Sequence, residues 1–294
     1  MIKKITFIVI FLSISTSMLV AQSAKEIILT NSAADDRYAS YSASGKQIIF
    51  ESNRDGNWEI YIMDDDGKNQ VRLTTSESDD RRPSWHPNGR KIIFESNETG
   101  KNELYELTIK NKEISKVEIK DVIGEPTFAR YSPNGEKIAF TLKESDQKSN
   151  IVTIDKEGNL DFITSNNFRS YYPSWSSDGK ALLFFSRHQT NNEDDEIYKI
   201  NVDGSDIERL TNWPKHNFCP SWSNDTKKIA YVTSMENIRP EIYVMDSNGE
   251  NQVRITYNDD GDTLPNWSSD NKKLLITGYR NGNYEICELT IYSN

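Results

Sequence analysis

Between Tyr38 and Thr74 the chain alternates short apolar runs with turn residues. Gln47 to Ser52 (Gln-Ile-Ile-Phe-Glu-Ser) is β-branched and aromatic, and Trp58 to Asp64 (Trp-Glu-Ile-Tyr-Ile-Met-Asp) has the same character. Both runs predict strands. Asn53-Arg54-Asp55-Gly56-Asn57 turns the chain between them, with Asp-Gly at its centre, and Asp65-Asp66-Gly67 turns it again. A short strand from Tyr38 to Ser42, closed by Ser44-Gly45-Lys46, precedes the pair, and Gln70 to Thr74 follows it. The pattern is four short antiparallel strands with no helical period.

This unit returns along the whole chain. Its clearest phrase is Pro173-Ser174-Trp175-Ser176-Ser177-Asp178-Gly179-Lys180, echoed at Pro83-Ser84-Trp85, Pro220-Ser221-Trp222 and Pro265-Asn266-Trp267. Tyr41 and Tyr131 fill the same slot, so the aromatic positions are 41, 85, 131, 175, 222 and 267, spaced by 44, 46, 44, 47 and 45 residues. A fixed period of this size marks a repeat architecture. Six four-stranded units predict an all-β, six-bladed β-propeller. The last repeat has only three strands, the third ending near Tyr292. Glu26-Ile27-Ile28-Leu29-Thr30 reads like Arg209-Leu210-Thr211 and Arg254-Ile255-Thr256. The N-terminal strand is therefore expected to complete the sixth blade and close the ring, leaving no free sheet edge.

Ahead of this strand, Lys3 and Lys4 precede an apolar run from Ile5 to Val20, and Leu19-Val20-Ala21 suits a cleavage site. Residues 1–21 thus read as a secretory signal peptide and 22–294 as the propeller, with a retained anchor as the alternative. Cleavage after Ala21 would leave Gln22 first, with no Cys there for lipid attachment and no membrane insertion afterwards. The expected compartment is the periplasm or the exterior. The mature chain carries 33 basic and 45 acidic residues, a net charge of −12. That balance argues against nucleic acid, which calls for clustered Lys and Arg, and suits solubility and a basic partner. Cys219 and Cys287 fall at non-equivalent positions of different repeats, so two buried thiols are expected, with one disulfide the alternative.

The phrases at 173–180, Glu241-Ile242-Tyr243-Val244-Met245-Asp246 and Asn251-Gln252-Val253-Arg254-Ile255-Thr256 resemble the propeller repeats of the TolB family of Gram-negative envelopes. The resemblance runs from about Glu26 to the end. It implies a periplasmic propeller of the Tol-Pal system type, with a peptidoglycan-associated lipoprotein as one candidate partner. The separate N-terminal α/β domain and the TolA-contacting peptide of TolB proper find no room between Ala21 and Glu26.

A residue type that recurs in every blade serves the blade, so the Trp/Tyr slot is expected to be inter-blade core. The recurring Glu59, Glu196 and Glu241, with Glu103 and Glu285 as variants, are expected to pair with turn arginines such as Arg54, Arg187 and Arg280. The Asp-rich turns at Asp64 and Asp246 lack the glycine and glutamate spacing of a calcium loop and read as hairpin turns. The loops leading into the first strands do not repeat. Blades 1, 2 and 6 carry Asp35-Asp36, Asp79-Asp80, and Asp259-Asp260 with Asp262; blades 4 and 5 carry Phe168-Arg169-Ser170-Tyr171-Tyr172 and Trp213-Pro214-Lys215-His216-Asn217-Phe218. Around the channel mouth this predicts an acidic half and an aromatic, partly positive half. Together they would dock an envelope protein or peptide onto a monomeric propeller.

Catalytic motifs are missing. There is no Gly-x-Ser-x-Gly and no zinc spacing, and the hydrolase domain of a propeller peptidase is not expected. No catalytic residue and no resident cofactor are expected. The alternative reading is a metal-dependent carbohydrate lyase or hydrolase holding a divalent cation in the mouth, with His188 and His216 as its weak ligand candidates.

Overall fold

Tight turns between short β-branched runs leave the chain one way to bury its apolar faces: stacking sheet on sheet around an axis. The computed structural model describes residues 25–120, 122–165, 169–188, 194–212, 216–234 and 239–291. Their strands form six four-stranded antiparallel sheets. Blade 1 runs Asp36–Tyr41, Gln47–Ser52, Glu59–Asp64 and Val71–Arg72. The first strands of blades 2 to 5 are Asp80–Trp85, Glu125–Tyr131, Ser170–Trp175 and Asn217–Trp222, and neighbouring first strands touch around the axis. First strands begin at the acid pairs, earlier than the alternation at Tyr38 suggested, because Asp36 already pairs with Ser52 across the sheet. The expected leader, residues 1–21, lies outside the described residues.

Ring closure is as expected. Lys25–Ile28 lies beside Asn283–Thr290 in the sixth sheet, pairing Lys25 with Thr290 and Ile28 with Cys287. The side chains confirm the register. Thr74 Oγ1 in blade 1 donates to Glu59 Oε2 (2.5 Å) and accepts from Ile60 N (2.9 Å). Thr211 with Glu196 and Ile197, and Thr256 with Glu241 and Ile242, repeat this. At the seam Thr30 Oγ1 donates to Glu285 Oε2 (2.6 Å) and accepts from Ile286 N (2.9 Å). The two ends of the chain make the bond that every other such blade makes locally.

The recurring glutamate is thus structural, but its partner differs from the one expected. Tyr61 pairs with Arg72 across the third and fourth strands, and strand alternation sets Arg72 beside Glu59, two residues from Tyr61 (2.5 Å). Arg209 and Arg254 hold Glu196 and Glu241 in the same way (2.6 and 2.9 Å). The turn arginines reach other acids: Arg54 binds Asp36 (2.9 Å), Arg187 binds Asp195 (3.1 Å), and Arg280 binds Asp262 (2.8 Å) and Glu26 (2.7 Å).

Each blade interface has its own apolar cluster. Between blades 1 and 2 it contains Ile49, Ile60 and Leu73 against Ile92, Phe94 and Leu107. The Trp/Tyr slot packs on these clusters, as its recurrence predicts. Indole nitrogens tie it to the preceding blade: Trp85 to Ser40 O (3.0 Å), Trp175 to Arg130 O (3.1 Å) and Trp267 to Ser221 O (3.2 Å). Tyr41 and Tyr131 instead donate to Glu288 and Glu106. Trp222 Nε1 has no acceptor.

Every first strand slips register by a bulge, and one non-glycine residue in each takes a left-handed backbone. These are Tyr38, Arg82, Phe128, Tyr172, Cys219 and Leu264, with φ between 51° and 63°. They fill the axis. Tyr38 and Phe128, from blades 1 and 3, lie 6.3 Å apart, Phe128 and Tyr172 5.3 Å apart, and the Arg82 guanidinium sits 4.7 Å from the Phe128 centroid. Cys219 joins this plug; it and Cys287, in the third strand of blade 6, are free, buried thiols, and burial pushes the pKa of each up to about 12.

Candidate functional site

The lead-in loops fix the mouth face, and the structure divides each acid pair between two environments. Asp36, Asp80 and Asp262 occupy one position in blades 1, 2 and 6, each at the start of its first strand, and all three are buried. Arg54 and Arg280 neutralise Asp36 and Asp262. Asp80 has no such partner, because Glu98 stands in blade 2 where Arg54 stands in blade 1. Burial pushes Asp80 up to about 6, against the hydroxyls of Ser96, Thr74 and Ser76. The preceding residues are latches. Asp35 Oδ1 accepts Tyr284 N and Asp79 Oδ1 accepts Trp58 N, both at 3.0 Å, so each ties its loop to the blade before it. His216 Nδ1 does the same for blade 5, accepting Asp195 N at 3.2 Å.

The structure splits the acidic half read from the sequence: Asp36, Asp80 and Asp262 are buried, Asp35 and Asp260 meet arginines, and Asp79 and Asp259 make no ion pair among the described residues. Arg37, which pairs with Asp35 (2.7 Å), stacks on Tyr284 (4.1 Å) and lies 5.2 Å from Trp58. Arg81 lies 4.4 Å from the Trp58 centroid and binds Glu51 (3.0 Å). Two guanidinium groups thus lie against Trp58, and Asp79 fixes its backbone. Asp259 and Asp260 are exposed, and Asp260 meets Arg239 at 3.2 Å. The buried acids are the ones that open a first strand, where cross-strand pairing sets Asp36, Asp80 and Asp262 opposite Ser52, Ser96 and Gly278; the others lie in the loops before it.

On the far side of the mouth, Tyr171 stacks on Phe185 at 5.7 Å, and Phe218 meets Phe185 edge-on at 6.3 Å. Arg169 bridges to Ser149 through its backbone. His188 is half-buried, and burial lowers its pKa; its carbonyl accepts the Tyr198 hydroxyl. Phe168, Trp213 and Lys215 lie outside the described residues. Among the described residues no three His, Cys, Asp or Glu side chains group as a metal site requires, so His188 and His216 find no third donor there.

Sequence reading missed Glu51 and Glu95, which lie in the second strands and are buried. Glu51 accepts Arg82 N (2.7 Å), and Glu95 accepts Phe128 N (2.6 Å) and Arg82 Nη1 (2.6 Å). Each carboxylate holds the left-handed residue of the next blade in place. Thr141 does so for Tyr172 (3.1 Å), whereas Phe185, Val232 and Thr277 stand at this position in blades 4 to 6. Side-chain acceptors in blades 1 to 3 thus hold the plug, and Phe185 and Val232 make the position apolar in blades 4 and 5. The signal was a glutamate after phenylalanine in two repeats only, Phe50-Glu51 and Phe94-Glu95.

Comparison with known proteins follows the repeat. The TolB beta propeller domain model matches residues 13–206, 118–238 and 189–294. Two curated relatives are the uncharacterized peptidase YuxL of Bacillus subtilis, 27% identical over 115 residues (37% of this chain), and the uncharacterized protein Atu1656 of Agrobacterium fabrum, 30% identical over 104 residues (35% of this chain). The matched segments span 17% and 34% of those proteins' lengths. Among solved structures, a candidate TolB from Agrobacterium tumefaciens superposes with a TM-score of 0.72 at 19% identity, covering 91% of this chain and 94% of that one. TolB from Acinetobacter baumannii gives 0.62 at 19% identity, over 89% of this chain and 65% of that one. An oligogalacturonate lyase from Vibrio parahaemolyticus gives 0.62 at 15% identity, over 92% and 94%. At these identities the superpositions show the fold.

Proposed function

We propose a function from one premise: the chain belongs to the TolB beta propeller family. It acts as a binding module of the cell envelope, exported to the periplasm, that docks a protein partner over the mouth face. The observation that carries this reading is Trp58 with both Arg37 and Arg81 against its ring. Trp and Arg are the side chains that dominate protein interfaces, and a tryptophan fixed in advance loses little entropy when a partner covers it. The arrangement belongs to blades 1 and 2 and does not repeat, as a docking site on a symmetric ring requires. Asp35, Asp79, Asp259 and Asp260 would steer a basic segment toward it, and Tyr171 and His216 would extend contact across the mouth. The partner implied by the family resemblance is a peptidoglycan-associated lipoprotein.

The test is a titration of the immobilised mature propeller with the soluble domain of the same organism's peptidoglycan-associated lipoprotein, using the native chain and Trp58→Ala. Saturable binding by the native chain that weakens tenfold or more in Trp58→Ala, about 1.4 kcal/mol, supports the reading. Equal binding by both proteins, or none by the native chain, refutes it.

A further inference from the structure

The opposite face of the disc carries a cavity of about 320 Å³ on the axis, bounded by Trp85, Trp175, Trp222, Trp267, Tyr41 and Tyr131 and floored by Tyr172 and Arg130. All six blades contribute to it, and among the described residues Arg130 is its only charged lining residue. Arg130 is also the exception to the repeat. The pairing of first and second strands aligns it with Ser40, Ser84, Ser174, Ser221 and Asn266, which face Ile49, Ile93, Leu183, Ala230 and Leu275 as Arg130 faces Ala139. Five blades place a small neutral side chain here, and one places a guanidinium.

Among the described residues, that guanidinium makes no ion pair. Nη1 donates to Ala129 O (3.1 Å), and the guanidinium lies 5.4 Å from the Tyr172 centroid and hydrogen-bonds the Tyr172 hydroxyl. The other arginines near the axis have carboxylates: Arg82 has Glu95 (2.6 Å), Arg81 has Glu51 (3.0 Å) and Arg37 has Asp35 (2.7 Å). In a chain with 45 acidic residues, an arginine facing an aromatic socket with no acid beside it is set up to receive an anion from outside.

We propose that this cavity binds a small organic carboxylate, its acid group on Arg130 and a compact apolar body against the indole rings. The fork of N–H donors matches a carboxylate, and the ring of aromatic faces matches a body of about one six-membered ring, since the volume lies at the low end of ligand pockets. One arginine, with no second cation lining the cavity among the described residues, suits a monoanion better than a phosphate. The site lies on the face away from Trp58, so it stands or falls apart from the docking reading.

Four of the six tryptophans line the cavity, so intrinsic fluorescence reports on it directly. The native protein would be titrated with cyclohexanecarboxylate, its neutral amide and inorganic phosphate, each to roughly 20 mM, well above the Kd on the order of 1 mM expected for a ligand this small. The expected result is a saturable change with the acid and binding of the amide weaker by about tenfold or more. Arg130→Ser, which installs the residue four other blades carry, should lose about tenfold in affinity for the acid and keep the native melting temperature. Trp58→Ala should bind the acid as the native chain does. No saturation with the acid, equal affinity for acid and amide, or tighter binding of phosphate overturns the proposal. If Arg130→Ser does not fold, the comparison of acid with amide on the native chain still decides.

Discussion

Thr30→Val is the sharpest probe of how the ring is held shut. The substitution keeps the side chain's shape and removes one hydroxyl. In doing so it takes the acceptor from Ile286 N and the donor from Glu285 Oε2, both inside the sixth blade. Thr30 is 1% exposed and Glu285 0%, so water cannot replace either bond without opening the seam. A buried group left unsatisfied costs about 1–3 kcal/mol. Protonation of Glu285 moderates the loss, since burial already raises its pKa against the hydrogen bonds of Thr30 and Asn283, which lower it. The sum is about 2–4 kcal/mol, or a melting temperature lower by about 5–15 °C. A carboxyl whose pKa is raised by the fold disfavours the fold as pH rises through that pKa, so the loss should shrink toward acid pH. Thermal unfolding by circular dichroism measures the shift, and amide exchange at Ile286 to Leu289 locates it. Thr256→Val removes the same pair of bonds within one continuous blade and is the matched control. A shift below about 1 °C for Thr30→Val beside a full shift for Thr256→Val would refute the seam described above.

Asp80→Asn should stabilise the protein at high pH. With its pKa pushed up to about 6 by burial, Asp80 supports the fold only while protonated, a contribution complete below about pH 4 and lost as pH rises through 6. The variant should therefore gain at most about 3 kcal/mol at pH 8 and far less at pH 4.5. Urea midpoints at the two pH values check this, and an equal gain at both would contradict it. The tryptophans offer a second comparison: Trp267→Phe deletes the bond to Ser221 O, whereas Trp222→Phe deletes a nitrogen with no acceptor. Trp267→Phe should cost about 1 kcal/mol more than Trp222→Phe in denaturant unfolding. The reverse order would mean that the indole bonds add nothing.

The blades could be read from the sequence because their turns and their aromatic slot recur at a nearly constant interval, and because Leu29-Thr30 copies a phrase used inside other repeats. The acid pairs were visible too, but their burial was not. Which of Asp35 and Asp36 turns inward follows from the pairing of Asp36 with Ser52, and what neutralises it, Arg54, returns only after a full hairpin. The left-handed residues share no side-chain type, from Cys219 to Arg82, so no composition rule marks them. Their only common trace is the proline or alanine that follows each, such as Pro83, Ala129 and Pro220. Arg130 was legible in principle. It breaks a column of serines, yet that column shows only once the bulge has set the alignment.

The plug of bulge residues gives the molecule a different character from a tube. Tyr38, Phe128 and Tyr172 meet across the axis, so aromatic rings stand between the two faces. A ligand on one face would not touch a ligand on the other. Signals between them would have to pass by mechanical displacement. Tyr172 is the natural lever: its backbone is held by Thr141 in the plug, while its ring forms the floor beneath the tryptophans.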